Sequence, residues 1–239
     1  ATNGDHGEVP GDLADGETLV DRRRMETLAA AAELGIARVA WLGYSDSGMT
    51  GWDQNDHGHS FHQAPVDEAA EKLAAILREE AAELLTSYDW HGTYGHPDHV
   101  KVHHVGARAA ELTGVRVLQA TSNRDVMHRI IAEAREQGID FGSPDEENEG
   151  DFDPHAPADD GNPFGEPEEM ITLEVDVRAF VPQKRAAIAC HASQVSDSEF
   201  FVNLDEEAFA LTFGKEWFIE PGISGPMRRG WIFGGGESL

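Results

Sequence analysis

Leu84-Leu85-Thr86-Ser87-Tyr88-Asp89-Trp90 leads into His91-Gly92-Thr93-Tyr94-Gly95-His96-Pro97-Asp98-His99, and a run rich in Val, Ala and Leu follows to Leu112. The order reads as a candidate strand, a polar loop and a helix from His99 to Leu112 that ends at Gly114, with a further strand over Val115 to Leu118. Pro97 fixes a backbone angle and favours a sharp turn into the helix, so its neighbours can converge on one point. In parallel sheets ligands sit at the carboxyl ends of strands, which puts a candidate site in the loop at 91–99.

Working outward, Leu19 to Leu34 is rich in Ala, Leu, Glu and Arg and is followed by Gly35, a helix with its C-cap. Val39-Ala40-Trp41-Leu42 is short and apolar and predicts a buried strand. Residues 44–64 form a loop dense in Gly, Asp, Asn and His, after which Pro65 opens a second helix with Leu73, Ile76, Leu77 and Leu84 near helical spacing. On the far side, Arg124 to Gln137 predicts a helix ending at Gly138. In Met170 to Val177, residues Ile171, Leu173, Val175 and Val177 fall on one face of a strand. Pro182 to Gln194 and Glu206 to Phe213 predict helices. Glu216 to Ile219 closes the regular part, and the end from Gly230 is expected to be loose. Alternating strands and helices predict an α/β fold, a mostly parallel sheet with helices on both faces. The length of 239 residues suits a single domain.

Composition excludes several function classes. A formal charge of −27 argues against nucleic acid and anionic membranes, both of which need a basic footprint. No apolar run approaches the ~20 residues that cross a bilayer. Residues 140–169 hold twelve Asp or Glu and no Lys or Arg. They predict a solvated, flexible acidic insertion, with a cation-binding or lid segment as the functional alternative. One cysteine, Cys190, excludes a disulfide framework and a Cys-based zinc site, and it fits a reducing cytoplasm. Any bound metal must then use His and carboxylate ligands.

His96, Pro97, Asp98 and His99 lie within four residues, with Tyr94 just before. A metal-bound or catalytic histidine needs its second ring nitrogen held, and Asp98 is available for that. The plainer alternative is a polar helix start capped by Asp98. His103 falls on the same helix face as His99. His57, His59 and His62 could chelate, although an exposed polar loop explains them as well. Ser47 and Ser193 carry no nucleophile signature, and Thr2-x-Gly4-x-x-Gly7 is too loose for a phosphate loop.

Several segments, in order, resemble the PIG-L/LmbE-like family of zinc-dependent N-deacetylases, which includes mycothiol-pathway deacetylases and conjugate amidases. They are Thr2 to Glu8, Arg23 with Glu26, Leu42 to Met49, Tyr94 to His99, and Lys184 to Ala187 with His191 to Gln194. The resemblance implies a Rossmann-like sheet and a zinc cofactor bound by His99. It implies that His96 faces the tetrahedral intermediate, with Asp98 orienting it and Tyr94 stabilising the oxyanion. Arg23 and Asp46 would contact the sugar. The family's first motif, Ala-His-Pro-Asp-Asp-Glu, carries two further zinc ligands and the general base, and it would precede Thr2. The sequence is therefore expected to be an N-terminally truncated domain without the first strand. The expected partner is a small amino-sugar conjugate, with homo-oligomerisation allowed. The other readings are an inactive or metal-free sugar-binding module and a metal-dependent phosphoesterase.

Overall fold

The computed structural model describes residues 1–7, 9–136, 155–194 and 202–234. Helix α1 spans Leu19–Glu33, and Thr18 starts it with a reciprocal capping box: the Asp21 N–H donates to Thr18 Oγ1 and the Thr18 N–H donates to Asp21 Oδ2, each at 3.1 Å. Gly35, at φ +69°, follows the helix as the sequence predicts. Helix α2 (Val66–Glu79) and strand β1 (Leu84–Tyr88) come next. Helix α3 (Pro97–Thr113) starts two residues earlier than expected, because Pro97 takes its first helical position. Strand β2 (Arg116–Thr121) and helix α4 (Arg124–Glu136) complete the first half; Gly138 and the acidic stretch up to residue 154 lie outside the described residues. The second half contains β3 (Leu173–Asp176), α5 (Val181–Ala189), α6 (Glu206–Phe213), β4 (Lys215–Ile219) and β5 (Arg228–Arg229).

The fold is α/β. The sheet order is β1-β2-β4-β3-β5. β1 pairs parallel with β2, from Leu84 beside Arg116 to Tyr88 beside Ala120, and β3 pairs parallel with β5. β4 runs antiparallel to both β2 and β3, so four strands share one direction and β4 alone is reversed.

Successive residues of β1 serve different cores, as the two-residue period of a strand requires. Leu85 packs against a cluster of Phe61, Ala70, Ala74, Leu77, Val105 and Ala109, drawn largely from α2 and α3. Leu84 packs against Leu118, Leu173, Val175, Val177 and Phe218. The alternation expected in β3 is therefore present, although its regular ladder is limited to four residues.

Two expectations are corrected. Residues 39–42 form no strand. A strand needs a neighbour to complete its ladder, and here only Tyr44 and Ser45 make isolated bridges, to Thr2 and Ser60. Ile36, Ala40 and Leu42 instead line a cleft of about 500 Å³ beside Leu85 and Val105. The end from Gly230 is anchored as far as it is described. Ile232 packs on the second core, and the Arg116 guanidinium donates to its carbonyl while pairing with Glu220 at 2.6 Å.

Candidate active site

The loop between β1 and α3 is a tight reversal. Gly92, Thr93 and Gly95 have φ of +65°, +70° and +86°. Asp89, fully buried at the end of β1, accepts the Thr93 N–H at 2.7 Å, and the Gly95 N–H donates to the His91 carbonyl at 2.8 Å. A second segment supports the turn from outside: the Asp159 N–H donates to the Tyr94 carbonyl and the Gly165 N–H to the Thr93 carbonyl. The turn delivers three rings to one place. The ring of His99 lies 5.0 Å from those of both His96 and Tyr94, and those of Tyr94 and His96 are 6.2 Å apart.

The two histidines are held in opposite senses. The Asp98 backbone N–H donates to His96 Nδ1 at 3.1 Å, so Nδ1 carries a lone pair and the neutral ring is protonated on Nε2. This bond makes His96 the N-cap of α3. His99 Nδ1 lies 3.3 Å from the Gly92 carbonyl, which can only accept, so Nδ1 donates and the lone pair is on Nε2. Tyr88 stacks on His99 at 4.3 Å and 10°. Burial, reinforced by His96, pushes His99 down to about 4, and it is a neutral imidazole at pH 7.

Asp98 is buried, and its carboxylate is used by Ser47, which donates both its backbone N–H (3.0 Å) and its hydroxyl. Burial raises the Asp98 carboxyl against the pull of these bonds. Asp98 therefore ties the 44–49 loop to α3 through its side chain and orients His96 through its backbone. Asp46 lies on the same loop, within electrostatic reach of Asp98 and His99; it accepts the Gly48 N–H, and its own N–H donates to Asp5. Arg23 reaches from α1 beneath the 2–7 loop: a Cβ at Gly4 would lie 2.8 Å from its Cδ, and one at Gly7 would lie 2.5 Å from Nη2. Glu26, one turn along, accepts the N–H and hydroxyl of Ser193, joining the two outlying segments that share the family pattern.

His99 suits a metal: a neutral imidazole with its second nitrogen fixed by a carbonyl is how proteins present a zinc ligand. A catalytic zinc takes three protein ligands. Among the described residues, no group of three His, Cys, Asp or Glu side chains is arranged to hold a metal ion, and His57, His59 and His62 do not form one. His99 fits as one ligand of an incomplete set.

Comparison with known proteins adds the lineage. Residues 1–110 match the family model PIG-L, described as GlcNAc-PI de-N-acetylase. A 1D-myo-inositol 2-acetamido-2-deoxy-alpha-D-glucopyranoside deacetylase of Thermobispora bispora is 34% identical over 96% of this chain and 80% of its own length. The chain belongs to the PIG-L family. Further family members with that same deacetylase name, from Thermomonospora curvata and Streptomyces griseus, are 33% and 37% identical over 89% and 84% of this chain and 77% and 66% of their own lengths.

Several residues that build this candidate site carry no motif signal in the sequence. In the sequence Ser47 carries no nucleophile signature and has no separate role, whereas in the fold it binds Asp98 and the His62 N–H. Tyr88 ends β1 and Asp89 directly follows it, and they support His99 and Thr93. His91 and the segment holding Asp160 and Glu166 are brought together only by the fold. Position at the carboxyl end of β1 is the available signal for Tyr88 and Asp89; no local pattern signals the others.

Proposed function

We propose that this chain is an amide hydrolase of N-acetylated amino sugars, acting on an inositol-linked 2-acetamido-2-deoxyglucoside or a close conjugate. The observation that carries the reading is the convergence of Tyr94, His96 and His99 at the start of α3, with one histidine offering an N–H and the other a lone pair. The deacetylase names of the similar proteins support the substrate class.

Hydrolysis breaks the amide C–N bond, adds water oxygen to the acetyl carbon, and delivers a proton to the departing amine. His96 Nε2–H faces the tetrahedral intermediate and, with Tyr94, donates to the charge developing on the carbonyl oxygen, while the proton that reaches the departing amine is one of the attacking water's. Asp98 and its Ser47 bonds hold His96 in register. Arg23 and Asp46 bind the sugar hydroxyls. Zinc is the cofactor this reading calls for, with His99 Nε2 as its ligand from this chain beside ligands beyond the set the described residues assemble. When bound it would polarise the acetamide carbonyl and activate water. The reducing compartment suggested by the lone Cys190 fits a cytoplasmic enzyme.

The test is acetate release from 1D-myo-inositol 2-acetamido-2-deoxy-glucopyranoside by the zinc-supplemented full-length protein. Release is expected, with loss in His99→Ala and on chelation. Glycoside binding indifferent to chelator and without acetate release would favour a sugar-binding module. Phosphate release from simple esters without acetate release would favour a phosphoesterase.

A further inference from the structure

The His91 ring takes no part in the chemistry just described, yet it is 1% exposed and sits between two carboxylates. Its Nδ1 lies 3.3 Å from Asp160 Oδ2 and its Nε2 lies 3.9 Å from Glu166 Oε1, while neither nitrogen has a fully formed hydrogen bond. Whichever ring nitrogen carries a proton faces an acidic oxygen.

Each carboxylate belongs to a different anchor. Glu166 is fixed at the end of β2: its N–H donates to the Ser122 carbonyl, its carbonyl accepts the Arg124 N–H, and Trp90 Nε1 donates to its side chain. Asp160 lies across the catalytic loop, where a Cβ added at Gly95 would collide with Asp160 Cβ. The loop between them holds Thr93 in a left-handed conformation that costs a non-glycine residue on the order of 1 kcal/mol, so it needs support from outside. Burying an imidazole against carboxylates is a weak source of stability, because desolvation cancels much of the attraction. Its effect is to select one arrangement.

We propose that His91 is a positioning residue: by bridging Asp160 and Glu166 it clamps the 158–166 segment onto the loop and fixes the directions of Tyr94 and His96. The catalytic consequence rests on the amide hydrolase reading above; the clamp itself does not.

The experiment compares the wild-type chain with His91→Ala, His91→Gln, Asp160→Asn and the His91→Ala/Asp160→Asn pair. Amide exchange is expected to rise at Gly95 and Gly165 in His91→Ala and Asp160→Asn but stay unchanged in α2 and α3. The ring nitrogens of His96 should lose their single fixed tautomer. With the acetamido glycoside, kcat should fall roughly 10- to 100-fold with KM within about threefold, the scale expected from a misplacement near 1 Å. His91→Gln should recover part of the loss, and the double variant should be no worse than His91→Ala. Unchanged exchange and an unchanged His96 tautomer in both single variants would overturn the clamp. So would exchange rising equally throughout the molecule, which marks a merely structural role. If His91→Ala does not fold, Asp160→Asn tests the same contact from a partly exposed position. A wild type that releases no acetate contradicts the proposed function and leaves the exchange and tautomer results to decide the clamp.

Discussion

The two sides of β1 are built on opposite principles. At its carboxyl end, the loop from Asp89 to His99 is polar and tightly turned, with backbone bonds from its own residues and from 159–165. Along its free edge lies an apolar cleft lined by Ile36, Ala40 and Leu42, and the expected strand at 39–42 finds no ladder there. The loop is held by directional hydrogen bonds, from its own residues and from 159–165. The edge depends on a neighbour for its form, and hydrophobic character alone does not make a strand. Mutations should therefore be felt sharply at the loop and faintly at the edge.

The largest effect is expected at Gly95. Its φ of +86° and the proximity of Asp160 leave no room for a side chain, so Gly95→Ala should cost about 2–4 kcal/mol by denaturant unfolding and abolish hydrolysis. Asp98→Ala should follow at about 2–3 kcal/mol, because it leaves the Ser47 N–H buried and unpaired. Neutral stability in either variant would break the contrast. Arg116→Ala tests the far end of the sheet, where Arg116 holds Glu220 and the Ile232 carbonyl; about 1–2 kcal/mol is expected. Arg116 also lowers the Glu220 carboxyl. The pair therefore stabilises the fold above the ordinary carboxylate range, and that contribution is lost as pH falls through the lowered value. An acid titration of stability should show a shallower loss in Arg116→Ala. The smallest effect is expected at the cleft: Ala40→Ser should change stability by less than about 0.5 kcal/mol, and a larger loss would mean that the edge is packed.

The same division explains what is legible in the sequence. Pro97 and Gly114 bracket α3 by local backbone rules, and His96 and His99 can be placed because four residues of sequence keep them close. Gly35 likewise marks the end of α1. The reversal of β4 is not legible, since strand direction depends on partners remote in sequence. The pairing of Ser47 with Asp98 spans fifty-one positions, and that of His91 with Glu166 spans seventy-five; no periodicity encodes either. The strand expected at 39–42 errs for the converse reason: its composition satisfies a strand while its surroundings do not.

His96 and His99 present opposite ends to a common point, one an N–H and the other a lone pair. Nitrogen-15 NMR of the labelled imidazoles measures this directly. The expected spectrum at neutral pH shows neutral His99 protonated on Nδ1, with Nε2 shifting on zinc addition, and neutral His96 protonated on Nε2. Matching tautomers in the two rings, or a His99 protonated on both nitrogens at pH 7, would contradict the account.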